Sequence, residues 1–393
     1  MTETWLLEPR DPLVLGNGLA GGAVPQLNPG TLAGMVRACF VADGSLVRAE
    51  EALGLLDIQI RGPWLVREDL RAGTFTTLIP APADRVVRGD TLHRGRLLAL
   101  RAGEGLHWPA EHSAPAYVVA YDGDPHEKPH PGRREDSHWP LDVAVTWALG
   151  PQVTSVATTV AYATLSAEPR THVAIDNATG TAAPAQLFTS KGVRLARNVA
   201  IALDVTAPTG QTAAPSAVVL GGEARLSFRS TNPRASFPSF ATHRAAYDAM
   251  AKKPGLRGLR LQLLTPGCFH AGASVSDPAW SPPPLAGFDL VAACIPGFQA
   301  VSGWNLQGAH GRGAPRDVRR LVPAGSVYWF DWRGDQTTKV EHVLALCERL
   351  WGRSLQTARA GLAEERAAFR APPEHDGYGM ILPGLWFDDD LET

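Results

Sequence analysis

Glycine and proline interrupt this chain so often that no long helix fits between them. There are 39 glycines and 32 prolines among 393 residues, about 18% of the chain against roughly 12% in average proteins. A glycine inside a helix costs about 1 kcal/mol and a proline about 3. The chain must therefore be built from many short elements joined by turns, not from a helical bundle. Its hydrophobic content of 45% is too high for a disordered chain, and no Gly-x-y period points to collagen. At ~100–200 residues per domain, the length predicts two domains, each able to bury a core of its own.

Lys+Arg number 37 and Asp+Glu 39, a net charge of −2. That balance excludes a uniformly basic nucleic-acid coat but leaves room for a local basic groove. Cys39, Cys268, Cys294 and Cys347 lie far apart and form no C-x-x-C. They fit no common zinc spacing and no disulfide framework, so reduced thiols and no metal are expected. The opening Met1-Thr2-Glu3-Thr4-Trp5 lacks the basic and apolar regions of a signal peptide, and no apolar run is long enough to cross a membrane. The expected location is the cytoplasm.

Trp5-Leu6-Leu7 reads as a first strand. Asn28 and Pro29 read as the N-cap and first position of a helix running to Val41. Leu56 to Leu65 alternates as a strand does. Residues 104–140 carry five histidines among Pro, Gly and charge, and read as a long polar excursion. Two extended stretches flank Asp176 to Gly180 and predict a hairpin. After a linker holding a short helix, His243 to Ala251, the pattern restarts. Strands are expected at Leu259 to Leu264 and around Leu321 to Trp332. Helices are expected at Lys339 to Trp351 and Gln356 to Arg370. Each half reads as strand, helix, strands and a closing glycine-rich strand, which predicts two copies of an α+β unit. The expected boundaries are an N-terminal unit at 1–230, a linker at 231–256 and a C-terminal unit at 257–393.

Gly16 to Gly21 matches G-x-G-x-x-G, but Pro25 and Pro29 separate it from its helix, which argues against a dinucleotide site. No acid–base pair has a spacing that compels catalysis. What stands out is arginine and glycine. Arg312, Arg316, Arg319 and Arg320 cluster with Gly311 and Gly313, opposed only by Asp317. An Arg/Gly loop beside a strand suits RNA phosphates, because guanidinium forks bind phosphate bidentately and stack on bases. The plainer alternative is a solvated basic loop. Gly377-Tyr378-Gly379 could offer amides to an anion and a ring for stacking, or be an ordinary turn. The helix start from Asn28 to Thr31 could hold phosphate on its free N–H groups, or only water.

Taken in order, several blocks resemble one family. They are Leu7-Glu8-Pro9-Arg10-Asp11-Pro12-Leu13, Gly62-Pro63-Trp64-Leu65, Pro80-Ala81-Pro82-Ala83-Asp84, and Arg170 to Asp176. Then follow Gly221-Gly222-Glu223-Ala224-Arg225, Val301-Ser302-Gly303-Trp304-Asn305, Val322-Pro323-Ala324-Gly325-Ser326-Val327-Tyr328 and Gly377-Tyr378-Gly379. The ordered set resembles the RAMP-superfamily subunit of type III-B (Cmr) CRISPR effectors that caps the 5′ end of the guide RNA. The resemblance implies two tandem ferredoxin-like (RRM-type) modules with long inserted loops. It implies a non-catalytic, RNA-binding subunit that holds the 5′ tag, needs no cofactor and meets target RNA only indirectly. The partners it implies are the large polymerase-like subunit and the backbone RAMP subunits. It assigns RNA contacts to Arg10, Asn28 to Thr31, Arg225 and Gly377 to Gly379. Arg316, Arg319 and Arg320 fill the place of the family's basic loop. Two rivals remain at this point: a metal-independent RAMP endoribonuclease using His172 or His375, and a pure protein scaffold.

Overall fold

A computed structural model of the chain describes residues 2–15, 27–41, 54–99, 117–121, 138–150, 153–162, 164–208, 213, 216–223, 225–270, 278–305, 314–315, 318–355 and 374–391. The fold is mixed α/β, rich in strands and poor in helix, as the glycine and proline content requires. The first sheet takes strands β1 (Thr2–Pro9), β2 (Gln59–Asp69), β3 (Thr74–Pro80), β4 (His138–Pro140), β5 (Val199–Thr206), β6 (Ala217–Val219) and β7 (Leu226–Thr231). Their order across the sheet is β6-β7-β1-β5-β2-β3-β4. The second sheet takes β8 (Leu256–Leu263), β9 (Phe288–Cys294), β10 (Val327–Trp332) and β11 (Ile381–Phe387), in the order β9-β10-β8-β11. All pairings within both sheets are antiparallel. In the first sheet the run β7-β1-β5-β2 places the fourth, first, third and second strands side by side. The second sheet repeats that order, with β11 beside β8, then β10, then β9.

Among the described residues four α-helices accompany the sheets: α1 (Pro29–Ala38), α2 (Leu141–Ala148), α3 (Arg244–Ala251) and α4 (Lys339–Leu350). Strand β1 reads as a continuous apolar run because both of its faces are covered. Trp5 and Leu7 point toward α1, where Leu32, Ala33 and Val36 form the buried stripe of an amphipathic helix. Leu6 points the other way, with Trp64 and Val66 of β2, into a core shared with the second sheet. Leu259, Leu261 and Leu263 of β8 face that same core, as do Tyr328 and Phe330 of β10 and Val343 and Leu346 of α4. Each large side chain buried there contributes roughly 1.5–3 kcal/mol.

The segment 231–256 connects the sheets but does not hang loose between them. Ala235, Phe237, Phe240 and Tyr247 are buried in the shared core. Trp351 lies edge-on to Phe240 and Tyr247, and its indole N–H donates to the Pro238 carbonyl at 2.7 Å.

A buried ion pair ties the sheets together at a second point. Alternation along β8 aims Arg260 and Gln262 away from the leucines. Arg260 meets Asp84 in a two-pronged contact of 2.8–3.0 Å, with both side chains fully buried. Trp147 Nε1 donates to the same carboxylate at 3.3 Å, and Gln262 donates to the Pro80 carbonyl at 2.6 Å. Burial pulls the Arg260 guanidinium below its ordinary value, and the Asp84 charge opposes that pull.

Parts of the expected polar excursion turn out to be structural. Tyr117–Ala120 pairs with Arg96–Ala99, and His138–Pro140 adds β4 to the sheet edge, burying Trp139 against Trp147. Apolar Val118, Val119 and Trp139 dictate this, embedded though they are in polar sequence. His138 is held neutral, its imidazole lowered to about 4 by burial and then by Arg85. The other four histidines of that stretch lie outside the described residues, as do Gly16 to Gly21 and the helix expected from Gln356 to Arg370. The predicted hairpin is longer than its sequence signal: Leu165–Ile175 pairs with Ala182–Leu195.

Candidate nucleic-acid interface

Arg319 and Arg320 do not lie on a loop. Arg319–Leu321 is a short strand whose partner is Gln299–Val301, with Val301 opposite Arg319 and Ala300 opposite Arg320. Alternation then sends the two arginines to opposite faces. Arg319 turns inward, its Nη1 at 3.8 Å from the Cys268 thiol. Arg320 is exposed, and its guanidinium lies over the Phe298 ring at 5.6 Å from the centroid. Arg312 and Arg316 lie outside the described residues.

Leu321 and Val301 of this ribbon pack with Cys268 on Tyr378. Tyr378 joins the two halves of the chain. Its hydroxyl donates to Asn28 Oδ1 at 2.6 Å and accepts from the Gly30 amide at 3.2 Å. Asn28 caps α1 as its sequence position predicts, accepting from the Gly30 amide at 3.1 Å. The structure thus brings together three features that lie far apart in sequence: the helix start, the glycine segment and the arginine ribbon.

It also corrects how two of them were expected to work. Tyr378 is no stacking ring. It is only 7% exposed, and burial pushes its phenol far above the ordinary tyrosine value. The amides of Gly377 and Gly379 do not form an open anion nest either. Gly377 N–H points to the Glu374 carbonyl at 3.4 Å and Gly379 N–H to the Pro266 carbonyl at 2.8 Å. The helix start is likewise filled. Pro29 has no N–H, Gly30 is bonded twice, and the Thr31 and Leu32 amides both donate to the Asn28 carbonyl, at 3.1 and 3.3 Å. Glycine is needed at 377 for another reason. Its φ is +88°, and a Cβ there would stand 2.1 Å from the Gly62 carbonyl oxygen. Gly377→Ala is expected to cost several kcal/mol, from a backbone clash and left-handed strain together. Gly34→Ala, on an open part of α1, is expected to stabilise by up to about 1 kcal/mol. Urea unfolding of both variants checks the pair of signs.

Arg10 and Arg225 lie at a different corner. The Arg10 amide donates to the Leu226 carbonyl at 3.0 Å, and its guanidinium lies 5.2 Å from the centroid of Phe228. Arg225 pairs tightly with Glu223 in the turn before β7, so its charge is already answered.

Two exposed aromatic rings were missed in the sequence. Trp280 is 38% exposed and Phe298 59%. They stand edge to face at 6.4 Å, and Arg320 completes the group. Each occupies a Pro- or Gly-flanked stretch, Trp280-Ser281-Pro282 and Pro296-Gly297-Phe298, where an apolar ring has little core to enter.

Residues 5–386 match the model of the family described as CRISPR-associated protein (Cas_Cmr3). The chain belongs to the Cas_Cmr3 family. Membership of that family makes it a CRISPR-associated protein of the Cmr type. No curated protein matches the chain. Among solved structures, two complexes described as type III-B Cmr-beta contain similar chains. One is bound to cognate target RNA and AMPPnP, with 11% identity, a TM-score of 0.47, and coverage of 98% of this chain and 99% of that one. The other is bound to cognate target RNA, with 11% identity, a TM-score of 0.46 and 96% coverage of each chain. A chain of a Csm3-Csm4 subcomplex of type III-A matches at 11% identity and a TM-score of 0.33, over 85% of this Cas_Cmr3 member and 94% of that chain. No helix among the described residues is long and apolar enough to cross a membrane.

Proposed function

We propose that this Cas_Cmr3 member is a non-catalytic subunit that holds the 5′ tag of the guide RNA and docks the large polymerase-like subunit beside the backbone RAMP subunits. On this reading target RNA is met only through the guide. One observation supports it most: the ribbon bearing Arg319 and Arg320 is fastened through Tyr378 to the α1 cap. That fastening holds Arg320 on a rigid edge, so less conformational entropy is lost when it binds phosphate. The net charge of −2 is compatible with this, since binding then needs one arginine-lined path rather than a basic coat.

We also propose that the chain is two tandem ferredoxin-like modules, 1–230 and 257–393, joined by 231–256. The shared 4-1-3-2 strand order supports this reading. The first module keeps the first crossover helix, α1. The second keeps the second, α4.

The non-catalytic part of the proposal draws on the two candidate histidines. His172, on the long hairpin, bonds Ser190 Oγ at 2.8 Å, and His375, beside Gly377, faces the Leu56 carbonyl at 3.2 Å. They sit on separate elements and do not form an acid–base pair. The test is purification of the full chain with its effector partners, followed by sequencing of the retained RNA. Guide RNAs sharing one 5′ end are expected. Retention of no RNA, or of ragged 5′ ends, would refute the proposal. Cleavage of repeat RNA by the chain in EDTA would replace it with the endoribonuclease.

A further inference from the structure

Exposed apolar patches rimmed by polar residues mark interaction sites. Trp280 and Phe298 form such a patch with Arg320. The rings are not loosely held. The Tyr328 hydroxyl, from the well-buried strand β10, donates to the Trp280 carbonyl at 2.6 Å. Phe298 directly precedes Gln299, where the ribbon begins. Arg320 is exposed and has no carboxylate partner among the described residues. The rings are roughly perpendicular, at 68°. A cation lies over one of them.

That combination suits an unpaired nucleobase. Every base has a π-face, so stacking on aromatic side chains tolerates any sequence, and a neighbouring guanidinium can take the adjoining phosphate. We infer that Trp280, Phe298 and Arg320 form a stacking platform that receives one unpaired base of the bound guide RNA. This rests on the guide-holding role proposed above and adds the ring contact that Tyr378, being buried, cannot make.

The experiment uses the reconstituted complex with guide RNAs carrying 2-aminopurine at successive positions of the 5′ tag. One position is expected to be strongly quenched, as a base stacked on indole is. Trp280→Ala with Phe298→Ala is expected to restore fluorescence at that position and to weaken binding by roughly five- to hundredfold. Trp280→Phe is expected to retain most of the affinity, which separates stacking from misfolding. If the wild-type complex binds the guide but the double variant neither changes the quench nor weakens binding, the platform is wrong and the guide-holding role stands. If the wild type binds no guide at all, both fall. If the double variant instead loses a protein neighbour while the RNA signal is unchanged, the rings are a docking patch and the platform is refuted.

Discussion

A chain carrying Arg319→Ala and Arg320→Ala is expected to bind a tagged guide RNA about ten- to hundredfold more weakly than the natural chain at moderate salt, while keeping its unfolding free energy within ~1 kcal/mol. The salt dependence gives a second, independent readout. Each phosphate contact on a single strand contributes about 0.7 to the slope of log affinity against log salt. Losing the Arg320 contact should therefore flatten the slope by about 0.7, since fewer counterions are released on binding. The two single variants should differ. Arg320 is exposed and stacked only on Phe298, so Arg320→Ala should affect RNA and little else. Arg319 turns toward Cys268 beneath the ribbon, so Arg319→Ala should also loosen the ribbon slightly. A filter-binding titration at several salt concentrations decides it. Unchanged affinity together with an unchanged slope would remove the ribbon from the RNA path.

Asp84→Ala is expected to be the most damaging single change to the fold. It would leave the Arg260 guanidinium fully buried without its hydrogen-bonded carboxylate, a loss of about 3–5 kcal/mol for a broken buried pair. It would also strip the Trp147 indole of its acceptor. The pair sits where the loop after β3, helix α2 and strand β8 converge, so the two sheets should lose their mutual alignment. Replacing both partners, Asp84→Leu with Arg260→Met, should recover most of the loss, because an apolar pair of similar volume removes both desolvation penalties. Urea unfolding of the three chains is the measurement. A single variant within about 1 kcal/mol of the natural chain would show that water reaches this pair.

Local chemistry was legible before the structure. Asn28 and Pro29 announced a helix start, and α1 begins at Pro29 with Asn28 as its cap. The restart after Pro254 announced a second strand set, and β8 begins at Leu256. Capping and apolar periodicity act over a few residues, so neighbours in sequence suffice to reveal them. The family blocks were legible too, since they run in order along the chain, and the family match over residues 5–386 agrees with them.

What each singled-out residue does could not be read in the same way. Tyr378 between two glycines looks like an exposed ring, yet Leu321, Val301 and Cys268 cover it, and all three are distant in sequence. Arg319 and Arg320 look equivalent, yet pairing with Gln299–Val301 sends one inward and one out. The Trp280–Phe298 pair has no local signature, because its rings meet only once the ribbon has formed.

The opening observation, frequent glycine and proline, by itself determined that this protein is made of short strands and few helices. Backbone conformational cost is a local property, so composition can settle it. Only the tertiary structure decided which glycine serves a turn and which, like Gly377, allows two backbones to touch. It alone decided which arginines face a carboxylate, an aromatic ring or water. Those outcomes depend on contacts between segments hundreds of residues apart, such as Tyr378 with Asn28. Burial and pairing are properties of the assembled sheets, and no sequence window contains them.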